Sequence, residues 1–320
     1  MNTFLIVGVE SVVGANLAAT WSEVARVFGL RVGSASSLPG CESASLDQHS
    51  AEGIRQCLER TRATHIVFCG AAARSSWEPA GLGGPRSGER GYANPSFANA
   101  DAELWAAAAA NADCHFTMIS SDAVFTGPWM FHDEQCSALC PSPAAIEIRR
   151  IESSVQEICA KSLIVRTNAF GWSPAGQSGW LESLLSALEN NRTLELDPIC
   201  HGTPILASDL ADYLAPALED ELTGVFHIAG AERVSPYQLA KQLASAFELS
   251  TPASRTIREL AARPTGFGRG EVSLQTRRFR TEYDCSMPML SEGLTRLVQQ
   301  HRTGHRDRLC GQATCQSKAA

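Results

Sequence analysis

The first stretch able to do chemistry is a glycine turn, Gly8-Val9-Glu10-Ser11-Val12-Val13-Gly14, between the apolar run Phe4-Leu5-Ile6-Val7 and the helically spaced Ala15, Leu17, Ala18 and Trp21. A strand-to-helix turn of this kind can bind the pyrophosphate of a dinucleotide. Glycines let the backbone come close, and the unpaired N–H groups and dipole of the helix favour an anion. Gly8 and Gly14 fit, but Ser11 replaces the middle glycine and Glu10 sets a carboxylate near the phosphates. The second apolar run, 27–32, ends in Gly33-Ser34 and lacks the acid that grips a ribose 2′-hydroxyl, which favours NADP over NAD for any cofactor held there.

Other reactive groupings carry less. Tyr237 and Lys241 form a Y-x-x-x-K on a late helix, where packing explains them. His301, His305, Cys310 and Cys315 have spacings only loosely like a zinc site, His132, Cys136 and Cys140 read as loop residues, and no metal is expected. Asp209 and Asp212 beside Ser208 read as capping and flanking a helix.

The elements that must position these residues alternate. Helical 51–61 leads to His65-Ile66-Val67-Phe68-Cys69, alanine-dense 100–112 to Phe116-Thr117-Met118-Ile119-Ser120, and helical 144–160, with its stripe of Ile148, Ile151, Val155 and Ile158, to Leu163-Ile164-Val165. Such alternation predicts an α/β fold with a doubly wound parallel sheet. Residues 79–95, rich in glycine and proline, read as a long loop. Beyond 170 the pattern loosens into helices at 180–190, 206–218 and 236–247, the last capped by Ser235, and a strand at 225–229. The expected organisation is a nucleotide-binding domain over 1–170, a smaller substrate domain over 171–300 that returns some elements to the sheet, and a disordered tail over 301–320.

The 320 residues are 44% hydrophobic with a net charge of −7, enough apolar material for a core and no general attraction for nucleic acid or anionic lipid. Eleven irregularly spaced cysteines read as reduced thiols. No eighteen consecutive residues are apolar, and no basic segment precedes Phe4, so a cytoplasmic protein without membrane partners is expected, with a small-molecule ligand.

The segment Ile119-Ser120-Ser121-Asp122-Ala123-Val124-Phe125-Thr126-Gly127 resembles the S-T-D-x-V-F-x-G stretch of the dTDP-4-dehydrorhamnose reductase family, within the extended short-chain dehydrogenase/reductases. The likeness continues through Pro141-Ser142-Pro143, Val165-Arg166-Thr167-Asn168-Ala169-Phe170-Gly171, Gly202-Thr203-Pro204, Ser208-Asp209-Leu210-Ala211-Asp212, the run 222–230, 235–240 and Ala262-Arg263-Pro264, over about residues 3 to 298. It implies a Rossmann-type domain that binds NADP and a smaller domain that holds a nucleotide-linked keto sugar, with a homodimer possible. Gly8, Ser11, Val12, Val13, Gly14, Ala71 and Ala72 are then the cofactor candidates, and Asp122, Asn168 and Phe170 the substrate candidates.

Hydride transfer in that family is assisted by a Ser/Thr, a Tyr and a Lys. Ser121 matches the first, and Asn99 falls within one residue of the family's Asn. At the Tyr and Lys positions stand Glu147 and Ile151. An ordinary Glu is protonated only about 0.2% of the time at pH 7, so Glu147 suits a base better than an acid. Equally, Glu147 can be an acid favouring a helix N-terminus and Ile151 a packing residue. Two functions follow: an oxidoreductase with altered or impaired proton chemistry, or a non-catalytic protein that binds a sugar nucleotide.

Overall fold

Five-residue β1 (Thr3–Val7) is an inner strand of the sheet, and its alternation shows how the fold is layered. Phe4 and Ile6 enter one hydrophobic core, while Leu5 and Val7 enter the other. The computed structural model describes residues 2–31, 38, 40–46, 48–78, 98–174, 179–196, 200–251, 254–256, 267–268 and 270–310. The expected 79–95 loop and Gly33-Ser34 lie outside the described residues.

In chain order, β1 is followed by α1 (Val12–Trp21), β2 (Arg26–Leu30), β3 (Glu42–Ala44), α2 (Ala51–Thr61), β4 (His65–Phe68), α3 (Asp101–Asn111), β5 (His115–Ser121), α4 (Pro143–Ile158) and β6 (Ser162–Thr167). Then come β7 (Ala169–Phe170), α5 (Trp180–Glu189), β8 (Leu194–Leu196), β9 (Ile205–Leu206), α6 (Ala207–Glu219), β10 (Gly224–His227), α7 (Pro236–Ala246), β11 (Ser254–Thr256), α8 (Arg277–Tyr283), α9 (Leu290–Arg302) and α10 (His305–Leu309). Seven strands form one parallel sheet in the order β10-β6-β5-β4-β1-β2-β3, the doubly wound architecture expected. Two short parallel pairs, β7 with β9 and β8 with β11, lie outside it.

Helices α2, α3 and α4 cover the face that carries Leu5, Ile66, Phe68, Phe116 and Ile164. Helices α1, α5, α6 and α7 share the other core with Ile6, Val67, Ile119 and Val165. The chain leaves β1 toward β2 and β3 and returns on its other side as β4. The crevice at the carboxyl ends of β1 and β4 is therefore the topological switch point, where ligands bind in open sheets of this kind.

The later part of the chain returns to the sheet through β10, which pairs with β6 from Gly224↔Leu163 to His227↔Arg166. The expected tail over 301–320 is corrected for its first half. Helix α9 runs to Arg302, and α10 packs Leu309 into the core, 1% exposed. His305 Nε2 lies 3.1 Å from Asn16 Oδ1 on α1. Two anchoring residues four apart make too short a stripe to read in a polar sequence; residues 311–320 lie outside the described part.

Candidate functional site

The glycine turn is dictated by crowding. Gly8 has φ +91°, and a Cβ there would lie 2.3 Å from the Cys69 carbonyl oxygen at the end of β4. A Cβ on Gly14 would lie 2.3 Å from the Gly8 carbonyl oxygen. Ser11 is the N-cap of α1: its Oγ donates to the Gly8 carbonyl at 2.8 Å and accepts from the Gly14 amide at 3.0 Å. The hydroxyl thus closes the turn on itself. The amides of Val12 and Val13, at the first two helical positions, have no intrahelical acceptor, and such donors at a helix N-terminus are the kind that an anion can use. Glu10 is half-buried, near enough to Cys69 to join burial in pushing that thiol's pKa up.

Across the crevice, β4 runs into a single turn, Ala71–Ala73. The Ala72 amide donates to Asn99 Oδ1 at 2.7 Å, so Asn99 ties this turn to the start of α3. The second cluster grows from the end of β5. Ser121 Oγ accepts from the Ala123 amide at 3.1 Å and shapes the turn Asp122–Val124. Ser121 and Asp122 are fully buried. Ser75 Oγ donates to Asn168 Oδ1 at 2.7 Å, which draws the segment that follows the Ala71–Ala73 turn toward the end of β6.

Three polar atoms in this cluster, Asp122 Oδ2, Asn168 Nδ2 and Ser76 Oγ, complete no hydrogen bond. Burial pushes the Asp122 carboxyl up to about 7, against the pull of nearby Ser76, Asn168 and Ser121. Gly202 faces the cluster: a Cβ there would lie 3.0 Å from Asn168 Nδ2, 3.1 Å from Trp77 Cζ2 and 3.3 Å from Asp122 Oδ2. Polar groups gathered at the carboxyl end of a parallel sheet make this the candidate site for a polar ligand. Phe170 stands apart from them, 1% exposed in the core where β7 pairs with β9.

Helix α4 packs on this turn without offering it an acid or an ammonium. Glu147 is exposed, bonded to Arg150 at 2.9 Å, and Arg150 also reaches Glu103 of α3 at 3.0 Å. The Arg150 guanidinium holds the Glu147 carboxyl below its usual range. Ile151 is 0% exposed and packs with Ile148, Val155, Val124 and Phe125. Arg149 does reach the turn, but its Nη1 donates to the carbonyls of Val124 at 3.2 Å and Cys140 at 2.9 Å.

One arrangement here was not visible from the sequence. Glu152 is 2% exposed and bonded to Arg166 of β6 at 2.6 Å, and it accepts from Ser120 Oγ at 2.6 Å. Ser120 and Arg166 are register partners, so the ion pair locks β5, β6 and α4 together one residue below Ser121. A charged residue four after Ile148 on an apolar stripe was the available signal. The other groupings are structural: Asp209 and Asp212 both accept from Arg296 of α9, His301 stacks on Trp172, and Tyr237 packs against the core from α7. Among the described residues no group of three or more His, Cys, Asp or Glu could hold a metal, and no helix is long and apolar enough to cross a membrane.

Comparison with known proteins agrees with this fold. The family model described as RmlD substrate binding domain matches residues 1–303. The dTDP-4-dehydrorhamnose reductase of Bacillus anthracis in complex with NADP superposes with a TM-score of 0.72 at 18% identity, covering 94% of this chain and 100% of that one. WbmH of Bordetella bronchiseptica in complex with NAD+ gives 0.70 at 15%, covering 94% and 99%. The UDP-glucose 4-epimerase of Thermotoga maritima with UDP-glucose gives 0.71 at 16%, covering 95% and 99%. At these identities the likeness shows the fold. No curated protein matches.

Proposed function

On the premise that the chain belongs to the RmlD substrate binding domain family, we propose that it is a nicotinamide-dependent oxidoreductase homologue that binds a nucleotide-linked keto sugar and has altered proton chemistry. The reading takes residues 1–170 as the cofactor side and 171–300 as mainly the substrate side. One observation carries it: the Ser121–Asp122 turn is intact and buried, whereas α4 turns Glu147 outward and seals Ile151 in the core.

In this reading the amides of Val12 and Val13, with Gly8 and the Ala71–Ala72 turn, hold the pyrophosphate, and NADP is favoured over NAD. When bound, the nicotinamide supplies or accepts the hydride. Ser121 Oγ hydrogen-bonds the sugar carbonyl oxygen. Asp122, part-protonated near neutrality, is the group able to return the proton, and Asn168 fixes the sugar through its unsatisfied Nδ2. Glu147 takes no part. A second reading, a non-catalytic sugar-nucleotide-binding regulator, draws on the same observation, that α4 presents neither a carboxyl nor an ammonium group to the Ser121 turn.

The test is calorimetric titration with NADPH and NADH, then turnover with a dTDP-linked 4-keto sugar. NADPH binding with slow reduction, reduced a further ~10²-fold or more by Ser121→Ala, is the expected result. Binding of the sugar nucleotide with no turnover selects the regulator. Failure to bind either cofactor or sugar nucleotide overturns both readings, and brisk turnover that Glu147→Gln abolishes would make Glu147 the acid/base.

A further inference from the structure

The segment that follows the Ser121 turn contains a nucleophile and a base outside the chemistry described above. Cys136 Sγ lies 3.1 Å from His132 Nδ1. His132 Nε2 lies 3.1 Å from the carbonyl oxygen of Glu271, which can only accept, so Nε2 carries the proton and Nδ1 presents its lone pair to the sulfur. Burial lowers the His132 pKa, which keeps the imidazole neutral with its Nδ1 lone pair free to accept the thiol proton. The ring is held in place: it is 1% exposed and stacks on Phe125 at 4.8 Å and 7°. On the other side of the sulfur, the Ala138 amide donates to Sγ at 3.5 Å, a contact that strengthens as negative charge develops. Nucleophile, base and a third group that fixes the base are the parts of an activated cysteine.

We infer that Cys136 is a peroxide-reactive thiol, activated by His132. Cys136 is half-buried, not sealed in the core. The Glu271 carboxylate is already paired with Arg233, so no cation is left beside the sulfur by that group to receive an anionic reagent, and a small neutral oxidant is the fitting partner. In the step, His132 Nδ1 takes the thiol proton and the sulfur attacks one peroxide oxygen. The O–O bond breaks, and the leaving hydroxide takes the proton from His132 as water. Sulfur is oxidised by two electrons to a sulfenic acid while the peroxide is reduced.

The modification has a route to the candidate site. Thr126 donates its amide to the Ala138 carbonyl at 3.0 Å, and Cys140 donates to the Val124 carbonyl at 2.9 Å, so the loop beneath Cys136 braces the turn that begins at Ser121. Oxidised Cys136 is expected to loosen that brace.

The experiment compares cysteines within the native protein. Cys41, Cys285 and Cys310 are also half-buried and serve as internal references. Under limiting iodoacetamide at pH 7, Cys136 should alkylate ~10-fold or more faster than these three, and after hydrogen peroxide a dimedone adduct should form first on Cys136. His132→Gln should bring Cys136 down to the reference rate. If that variant does not fold, the comparison within the unmodified protein still decides. Alkylation of Cys136 no faster than the references, or dimedone spread evenly among them, overturns the inference.

Discussion

Replacing Ile151 by lysine tests whether this position faces a ligand or the core. The side chain is 0% exposed among Ile148, Val155, Val124 and Phe125. Removing a buried isoleucine forfeits about 1.5–3 kcal/mol of transfer free energy. An ammonium in its place must be desolvated or lose its proton. If burial brings its pKa from about 10.4 to about 7, the cost at pH 7 is a further ~4 kcal/mol or so. Ile151→Lys should therefore lose about 5 kcal/mol or more, a large part of a typical domain's stability, whereas Ile151→Met should lose less than about 1.5 kcal/mol. The sign with pH follows from linkage. A folded pKa below the unfolded one means that the unfolded chain holds more protons between the two values. The variant should therefore regain stability, at about 1.4 kcal/mol per unit, as pH rises from 7 toward 10. Urea unfolding at pH 7 and pH 9.5 measures both effects. A loss under ~1 kcal/mol with no pH dependence would refute the core placement, and tighter NADPH binding in that variant would restore the family's role for the position.

Three more outcomes follow. Asp122 has its folded pKa raised to about 7, so the folded state holds the extra proton between pH 4 and 7 and is destabilised as pH rises through that window; Asp122→Asn should flatten the fall, worth up to about 4 kcal/mol, in melting curves from pH 4.5 to 8.5. Gly8→Ala meets the Cys69 carbonyl at a positive φ and should cost ~3 kcal/mol or more and abolish NADPH binding, read by thermal melting and calorimetry. Ser11→Ala removes the N-cap hydroxyl that bonds Gly8 and Gly14 and should cost about 1 kcal/mol by urea unfolding, Ser11→Gly only a few tenths, because glycine is itself favoured over alanine at an N-cap.

The sequence by itself determined the alternation of strands and helices, because each element has to bury one face and writes that need as a local period. It also placed the glycine turn and Ser121 at strand ends, since special backbone conformations restrict residue type at the position itself. It even located the departure at Glu147 and Ile151. Which way those two side chains face was decided only by packing: Arg150 and Glu103 draw the carboxylate outward, and the stripe of Ile148 and Val155 takes the isoleucine inward. Partners far apart in the chain were likewise illegible. Glu152 finds Arg166 because β5 and β6 align Ser120 with it, α10 is ordered because His305 meets Asn16 across the whole chain, and His132 becomes a base because the Glu271 carbonyl fixes its proton. A residue's period along the chain records how it meets its own helix or strand. The group it touches at a sequence separation of 14, 139 or 289 depends on how separate elements dock, and only the folded chain specifies that.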